Sequence, residues 1–432
     1  MTFAYSRIRA RASLPGWNIV GSFETNTTFI RPDTLFIIGR NGTLPHVKII
    51  LATPVYPPEI GGPATYTKEL AVRLRGEHEI VIVAYASTSE KIAGTTLYTV
   101  SKRKPLPLRI LEYFVTLYRA SRGADVIYVQ NAMAAGFPAV LVSKLRRIPL
   151  VLKFVGDEAW ERASQERLTK KMLEEFLARP EGGWRTSVRM NIQGFVLRHA
   201  DMVTTPSAYL RDAIVRTYGI RNERAVVNYN AAEKDVEAPF SARSVPHQIL
   251  TTARLVKWKG LDGIIRAVAL LKEKFPDVRA VIAGDGPDEE RLKALVRELG
   301  VGDSIIFPGR VSRAETWHLR KSSEVYVLNS TYEGLPHTVL TSFAARIPTV
   351  ATNIPGTNEA VYDGESGLLV PAGDERALAH AIDRLFNEPV LRAKIVEGAE
   401  RILNEKFSWG THIKTLLGFF KSVRAKPRYE PR

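Results

Sequence analysis

The chain has 432 residues, of which 45% are hydrophobic and 25% charged, with a formal net charge of +16. That length exceeds one ordinary core and predicts two domains, and the composition is that of a globular protein. The sequence contains no cysteine, which excludes disulfides, thiolate metal sites and a cysteine nucleophile; no apolar run reaches membrane-spanning length, and the N-terminus lacks the order of a secretion signal.

Residues 1–46 are rich in Thr, Asn, Arg and Gly and keep no hydrophobic period, so they read as an irregular extension. A fresh start at Val47-Lys48-Ile49-Ile50-Leu51 suggests that Val47 is the natural initiator. From there strand-like runs alternate with helical patterns. The runs are Ile49–Leu51, Ile80–Ala84, Val126–Val129, Leu150–Phe154, Met202–Thr204 and Ala225–Val227. Helices are expected over Ala64–Leu74 and Leu210–Tyr218, the latter capped by Ser207 and stopped by Gly219. The segment Ala231–His247 reads as a linker. The alternation resumes with Ile249–Ala253, Val278–Ala283, Ile305–Phe307, Val325–Leu328, Thr349–Ala351 and Leu368–Val370, with helices over Gly260–Phe275 and Glu289–Leu299 between them. The pattern predicts an α/β fold: two doubly wound, Rossmann-like halves facing a cleft. The expected limits are an extension at 1–46, a first domain at 47–235, a second at 236–405, and a returning helix with a basic tail at 406–432.

Segment 101–122 concentrates Lys102, Arg103, Lys104, Arg109, Arg119 and Arg122 against Glu112 alone. It places Leu108, Leu111, Val115 and Tyr118 at helical spacing. Such a helix either lies on an anionic membrane or covers a sheet with a solvated basic rim. No nucleic-acid recognition module is visible.

Three loops at strand ends carry candidate chemistry. Gly61-Gly62-Pro63 precedes a helix and lets backbone N–H groups approach an anion. Arg254-Leu255-Val256-Lys257-Trp258-Lys259-Gly260 puts two cations at a helix start, where they suit a diphosphate. Ser330-Thr331-Tyr332-Glu333-Gly334-Leu335-Pro336-His337-Thr338 places a carboxylate between a buried strand and a helix. Its position suits an anion at the helix start and sugar hydroxyls on Glu333. Gly284-Asp285-Gly286-Pro287 lacks the last glycine of a dinucleotide fingerprint and reads as a tight turn.

Taken in order, Arg254…Lys259-Gly260, Gly284-Asp285-Gly286-Pro287 and Glu333-Gly334-Leu335-Pro336, with Pro355-Gly356, Glu359, Asp363-Gly364, Gly367–Val370 and Phe407-Ser408-Trp409, resemble glycosyltransferase family 4, the retaining nucleotide-sugar enzymes of GT-B fold. The resemblance extends from Val47 to about Val423. It implies that Gly61 and Gly62 lie under the donor phosphates and that Arg254 and Lys259 hold the diphosphate. Glu333 would bind the donor sugar, and the backbone of Leu335, Pro336, His337, Thr338 and Val339 would cradle phosphate. The implied reaction moves a hexose from a nucleoside-diphosphate sugar to an acceptor hydroxyl, with retention, no metal and no cofactor. A cytoplasmic place in glycan, lipid or polysaccharide synthesis is expected, with peripheral association at the inner face of the cell membrane as a further option.

Two departures from the family pattern stand out. Thr341 occupies the position of the ribose-binding carboxylate, and Gln130 stands where many relatives have histidine. Gln130 and Asn131 either face the reacting sugar or cap a strand end. In Gly156-Asp157-Glu158-Ala159-Trp160-Glu161, Asp157 and Glu158 either bind acceptor hydroxyls or cap a helix, and Trp160 offers a stacking face. A weakened sugar-nucleotide-binding scaffold and a nucleotide-sugar epimerase are the alternative functions.

Overall fold

A computed structural model describes residues 46–59, 61–87, 90–232 and 245–425. The extension at 1–45, most of the linker and the end of the basic tail lie outside the described residues.

The first half carries strands β1 (Lys48–Thr53), β2 (Glu79–Tyr85), β3 (Thr96–Val100), β4 (Val126–Gln130), β5 (Leu150–Lys153), β6 (Met202–Thr205) and β7 (Ala225–Val227). Its helices are α1 (Gly62–Leu74), α2 (Leu106–Ala120), α3 (Gly136–Arg146), α4 (Glu158–Gln165), α5 (Leu173–Ala178), α6 (Gly183–His199) and α7 (Ala208–Tyr218). The second half has β8 (Gln248–Thr252), β9 (Arg279–Ala283), β10 (Ile305–Gly309), β11 (Val325–Leu328), β12 (Thr349–Thr352) and β13 (Leu368–Val370). With them come α8 (Leu261–Lys272), α9 (Glu289–Glu298), α10 (Arg313–Ser322), α11 (His337–Ala344), α12 (Glu375–Asn387) and α13 (Pro389–Lys406). Helix α14 (Trp409–Ala425) closes the described chain.

The sheets run β3-β2-β1-β4-β5-β6-β7 and β10-β9-β8-β11-β12-β13. Every strand pair is parallel. Both orders reverse next to the first strand, between β1 and β4 and between β8 and β11. Such a switch point opens a crevice beyond the carboxyl ends of the strands. The near-continuous apolar runs follow from this layout, because helices cover both faces of each sheet. Strand β3 escaped the sequence reading because it is an edge strand whose side chains are mostly exposed.

Helix α2 covers the sheet, one of its two expected placements, through residues other than the leucines that the spacing marked. Its inward face is Tyr113, Leu117 and Ala120, while Leu106, Leu108 and Leu111 are each more than half exposed. Tyr118 is also exposed, stacked beneath Arg146 of α3.

Helix α14 returns to the first half, as the Phe407-Ser408-Trp409 resemblance implied. Its His412, Leu416, Phe420 and Val423 are buried against β1, β4 and α1. Phe420 sits edge-on to Tyr128, with ring centroids 5.5 Å apart. The halves meet again where Glu359 of the second accepts the N–H groups of Ala208 (2.8 Å) and Tyr209 (2.9 Å) at the start of α7. The negative carboxylate thereby satisfies the unpaired donors and favourable dipole of that helix end. Truncating Phe420→Ala is expected to cost about 3–5 kcal/mol, read by denaturant unfolding, because it empties a buried aromatic site.

Candidate active site

The loop after β8 and the loop after β11 come together at the second switch point. Lys259 Nζ lies 2.6 Å from Glu333 Oε1, and Ser330 Oγ donates to the same oxygen at 2.6 Å. Both loops are fixed by backbone fit. Gly260 takes φ 58°, and any Cβ there would run into the carbonyl of Asn329, whose Nδ2 donates back to the Gly260 carbonyl at 2.8 Å. Gly284 is excluded from bearing a side chain by the Ala253 carbonyl, so the Gly284–Pro287 loop is a packed turn beneath Arg254. Glu333 is nearly buried, yet its Oε2 has no hydrogen-bond donor among the described residues. An acidic oxygen pinned on one side and free on the other suits a ligand hydroxyl.

A cavity of about 210 Å³ opens here, lined by Lys259, Glu333, Gly334 and Leu335 of the second half and by Val155, Glu161, Pro206 and Asn230 of the first, with Trp258 and Tyr332. The volume is below the roughly 300–1,000 Å³ of sites that enclose drug-sized ligands.

Helix α11 starts at the cavity wall without a side-chain cap. The N–H groups of His337 and Thr338 at the helix start, and of Leu335 just before its cap, find no acceptor among the described residues. Two members of the expected cradle differ. Pro336 has no N–H to offer, and the Val339 amide already donates to the Pro336 carbonyl at 3.1 Å. His337 is exposed at the start of α11, and loss of solvation among the surrounding residues, then the Lys153 charge, pushes its imidazole down to about 4. It is neutral at pH 7. Thr341 spends its hydroxyl proton on the carbonyl of Thr338, at 2.9 Å, and keeps only lone pairs for a ligand.

Other expected residues sit differently. Arg254 is exposed, makes no ion pair with a described residue, and does not line the cavity that Lys259 and Glu333 share. The buried neighbours Leu255 and Val256 anchor the loop and turn Arg254 outward. Gly61 and Gly62 open α1 with no side-chain cap, and a Cβ on Gly62 would meet nothing within 4 Å. That loop is open to an approaching group, though outside the cavity.

On the first half, the residues expected to face the acceptor are given over to the fold. Gln130 is buried and donates to Thr67 Oγ1. Asn131 has φ 80° and its Oδ1 accepts the N–H groups of Met133 (3.1 Å) and Ala134 (2.7 Å), which makes it a turn cap. Asp157 is the buried N-cap of α4, accepting from Trp160 N at 2.9 Å and Gln193 Nε2 at 2.7 Å, with Tyr218 OH also bound. Glu158 accepts the Ala132 N–H at 3.0 Å. Trp160 is buried too, donating to the Lys171 carbonyl at 2.9 Å, and it packs on Tyr332 instead of offering a stacking face.

The carboxylate that does reach the cavity is Glu161, four residues after the cap and hence on the same side of α4. Burial, then the charges of Glu158 and Asp157, push it up to about 7. Lys153 and Asn230 form a second polar pair at the cleft, 2.7 Å apart.

Among known proteins, the family model for glycosyl transferases group 1 matches residues 235–402, and the glycosyl transferase 4-like domain matches residues 61–231. The chain belongs to the group 1 glycosyltransferases. An alpha-D-kanosaminyltransferase of Streptomyces kanamyceticus is 27% identical over 76% of this chain and 82% of its own length. An uncharacterized glycosyltransferase of Methanocaldococcus jannaschii is 26% identical over 87% of this chain and 98% of its own. The crystal structure of Anabaena HepE in complex with UDP has a TM-score of 0.67 at 20% identity, covering 87% of this chain and 100% of that one. Sucrose-phosphate synthase from Thermosynechococcus elongatus also scores 0.67, at 17% identity, over 88% and 100%. The fold of this glycosyltransferase is therefore GT-B, as its sequence motifs implied.

The raised Glu161 carboxyl has a consequence for stability. The folded state binds more protons than the unfolded state between pH 4.5 and about 7, so stability from this group is present at pH 4.5 and is lost as pH rises through 7. Glu161→Gln should raise the melting temperature above the parent's at pH 8, and the difference should vanish near pH 4.5 in thermal scans.

Proposed function

We propose that this glycosyltransferase moves a hexose from a nucleoside-diphosphate sugar to an acceptor hydroxyl with retention of anomeric configuration. The observation that carries the reading is the Lys259–Glu333 pair beside the uncapped start of α11. Three free N–H groups and the Lys259 ammonium supply the positive potential that a departing diphosphate needs, so the leaving-group charge is met without a metal or cofactor. Glu333 keeps Oε2 for the hydroxyls of the sugar. Its Oε1 is occupied by a cation and a hydroxyl, which suits it to orient the ring rather than to attack it. The leaving phosphate then takes the acceptor proton on the same face. HepE, a fold neighbour, has been crystallised with UDP and with UDP-glucose, which supports a nucleotide sugar as donor. Arg254 stands at the same sheet edge, where it meets the outer phosphate or the nucleotide, and Thr341 accepts a single hydrogen bond from the ribose.

The acceptor, on this reading, is a glycan attached to lipid at an anionic membrane surface. Helix α2 supports it by exposing Leu106, Leu108 and Leu111 among Arg103, Lys104 and Arg109. Leucines at solvent amid cations suit the boundary of an anionic bilayer. No helix among the described residues is long and apolar enough to cross a membrane.

Glu333→Gln should lower transfer about ten- to a hundredfold, as one charged hydrogen bond of roughly 1.5–3 kcal/mol is lost, with little change in melting temperature. The check is release of nucleoside diphosphate and the anomeric configuration of the product by NMR. Undiminished turnover in that variant, or an inverted product, would overturn the reading. Vesicles of phosphatidylglycerol should float the protein and phosphatidylcholine vesicles should not. The double variant L108E/L111E should stay at the bottom of the gradient while keeping transfer to a soluble acceptor.

A further inference from the structure

Lys153 ends β5 at the carboxyl edge of the first sheet, and it is almost wholly buried. A buried ammonium normally has a carboxylate partner. This one has none among the described residues. Its Nζ donates to the neutral amide of Asn230 at 2.7 Å and lies 4.0 Å from the centre of the Tyr66 ring. The other titratable groups around it are His337 at the start of α11 and His412 of α14, both of which feel its charge, and neither is negative. Tyr66 is held neutral by burial, with its hydroxyl bonded to Tyr128 and His412 at 3.0 and 2.6 Å. The environment is thus that of a cation waiting for an anion.

Where that anion goes follows from two neighbours. Asn230, its hydrogen-bond partner, lines the cavity that holds Lys259 and Glu333. His337 is the first residue of the helix whose N–H groups are free. We propose that Lys153 is the first half's cation for the anionic part of the donor, meeting the diphosphate from the side opposite Lys259 at the start of α11. This rests on the proposed nucleotide-sugar reaction and adds a binding residue to it. Neither the sequence motifs nor the family's second-half residues pointed to this lysine.

The same surroundings give the proposal a distinctive signature. In the empty protein, burial pushes the Lys153 ammonium down to about 7, so at pH 8 it is mostly neutral. A diphosphate beside it favours the charged form, so binding draws a proton from solvent. His337 begins near 4 and the phosphates are ionised at pH 8, whereas Glu161, raised to about 7 in the same cavity, takes up part of a proton as well, so the share of the uptake that the Lys153 variants lose is what reports on Lys153.

The test is titration calorimetry at pH 8 with UDP, GDP and ADP in turn, each in two buffers of different ionisation enthalpy. The parent protein should bind at least one of them with net proton uptake. Lys153→Met should lose that share of the uptake and bind about ten- to a hundredfold more weakly. Lys153→Arg, charged at every pH used, should keep much of the affinity while losing the same share. Replacing a buried charge by an apolar side chain of similar length is usually tolerated by the fold. Should the Met variant fail to fold, the parent and Arg proteins still decide the matter through uptake. Unchanged affinity and uptake in either variant would sink the proposal and leave the transferase reading intact. A parent protein that binds none of the three nucleotides would take both down.

Discussion

The second half is organised around one partly buried ion pair. Lys259 follows β8 and Glu333 follows β11, the two strands on either side of the switch point. Pairing offsets part of the cost of placing two charges in a partly enclosed site. Each therefore fixes the loop of the other, and Ser330 locks the carboxylate further. The result is a braced rim with one carboxylate oxygen and three backbone N–H groups at or just before the start of α11 unpaired among the described residues. Preorganisation of this kind means that little reordering is needed when charge develops on a leaving group.

The two halves contact one another through chemistry of the same sort. Glu359 reaches over to the first half and accepts two N–H groups of α7 that its own cap, Ser207, leaves free. Tyr229, at the end of the first half, also donates to Glu359, at 3.1 Å. Aromatic packing reinforces the joint. Trp160 of α4 is flanked by Tyr332 at 4.6 Å and Trp258 at 5.5 Å, and both of those rings come from the second half's site loops. The hydrophobic core of the first half is completed by residues that the second half contributes.

Much of the fold was legible in the sequence, because buried parallel strands leave unmistakable apolar runs and strand-to-helix turns carry caps such as Ser207 and Gly219. The weak points were positions where local pattern and tertiary placement part. Strand β3 has no apolar signature, since an edge needs none. The apolar spacing of α2 left open whether it met a membrane or a sheet, and it could not show that Tyr113 and Leu117 supply the buried face while Leu108 and Leu111 stay exposed. At the site, Lys259 and Glu333 could be named from spacing, since loop chemistry on adjacent strands is set by topology. The acidic run 157–161 could not be resolved the same way. Asp157 and Glu158 satisfy backbone N–H groups and Glu161 alone reaches the cavity, a division that depends on where α4 begins. Lys153 gave no signal, since a lysine at a strand end is ordinarily solvated and only the packing of α1, α11 and α14 around it makes it unusual.

Tyr332 and Glu333 are consecutive in the chain, and their side chains have different partners. The Tyr332 ring packs edge-on to Trp160 in the opposite half, and the Glu333 carboxylate pairs with Lys259. Any hinge motion that separates the halves must withdraw that ring, and it drags the neighbouring carboxylate along. A separation of the halves would therefore act on the ring and on the carboxylate together, through a single peptide unit.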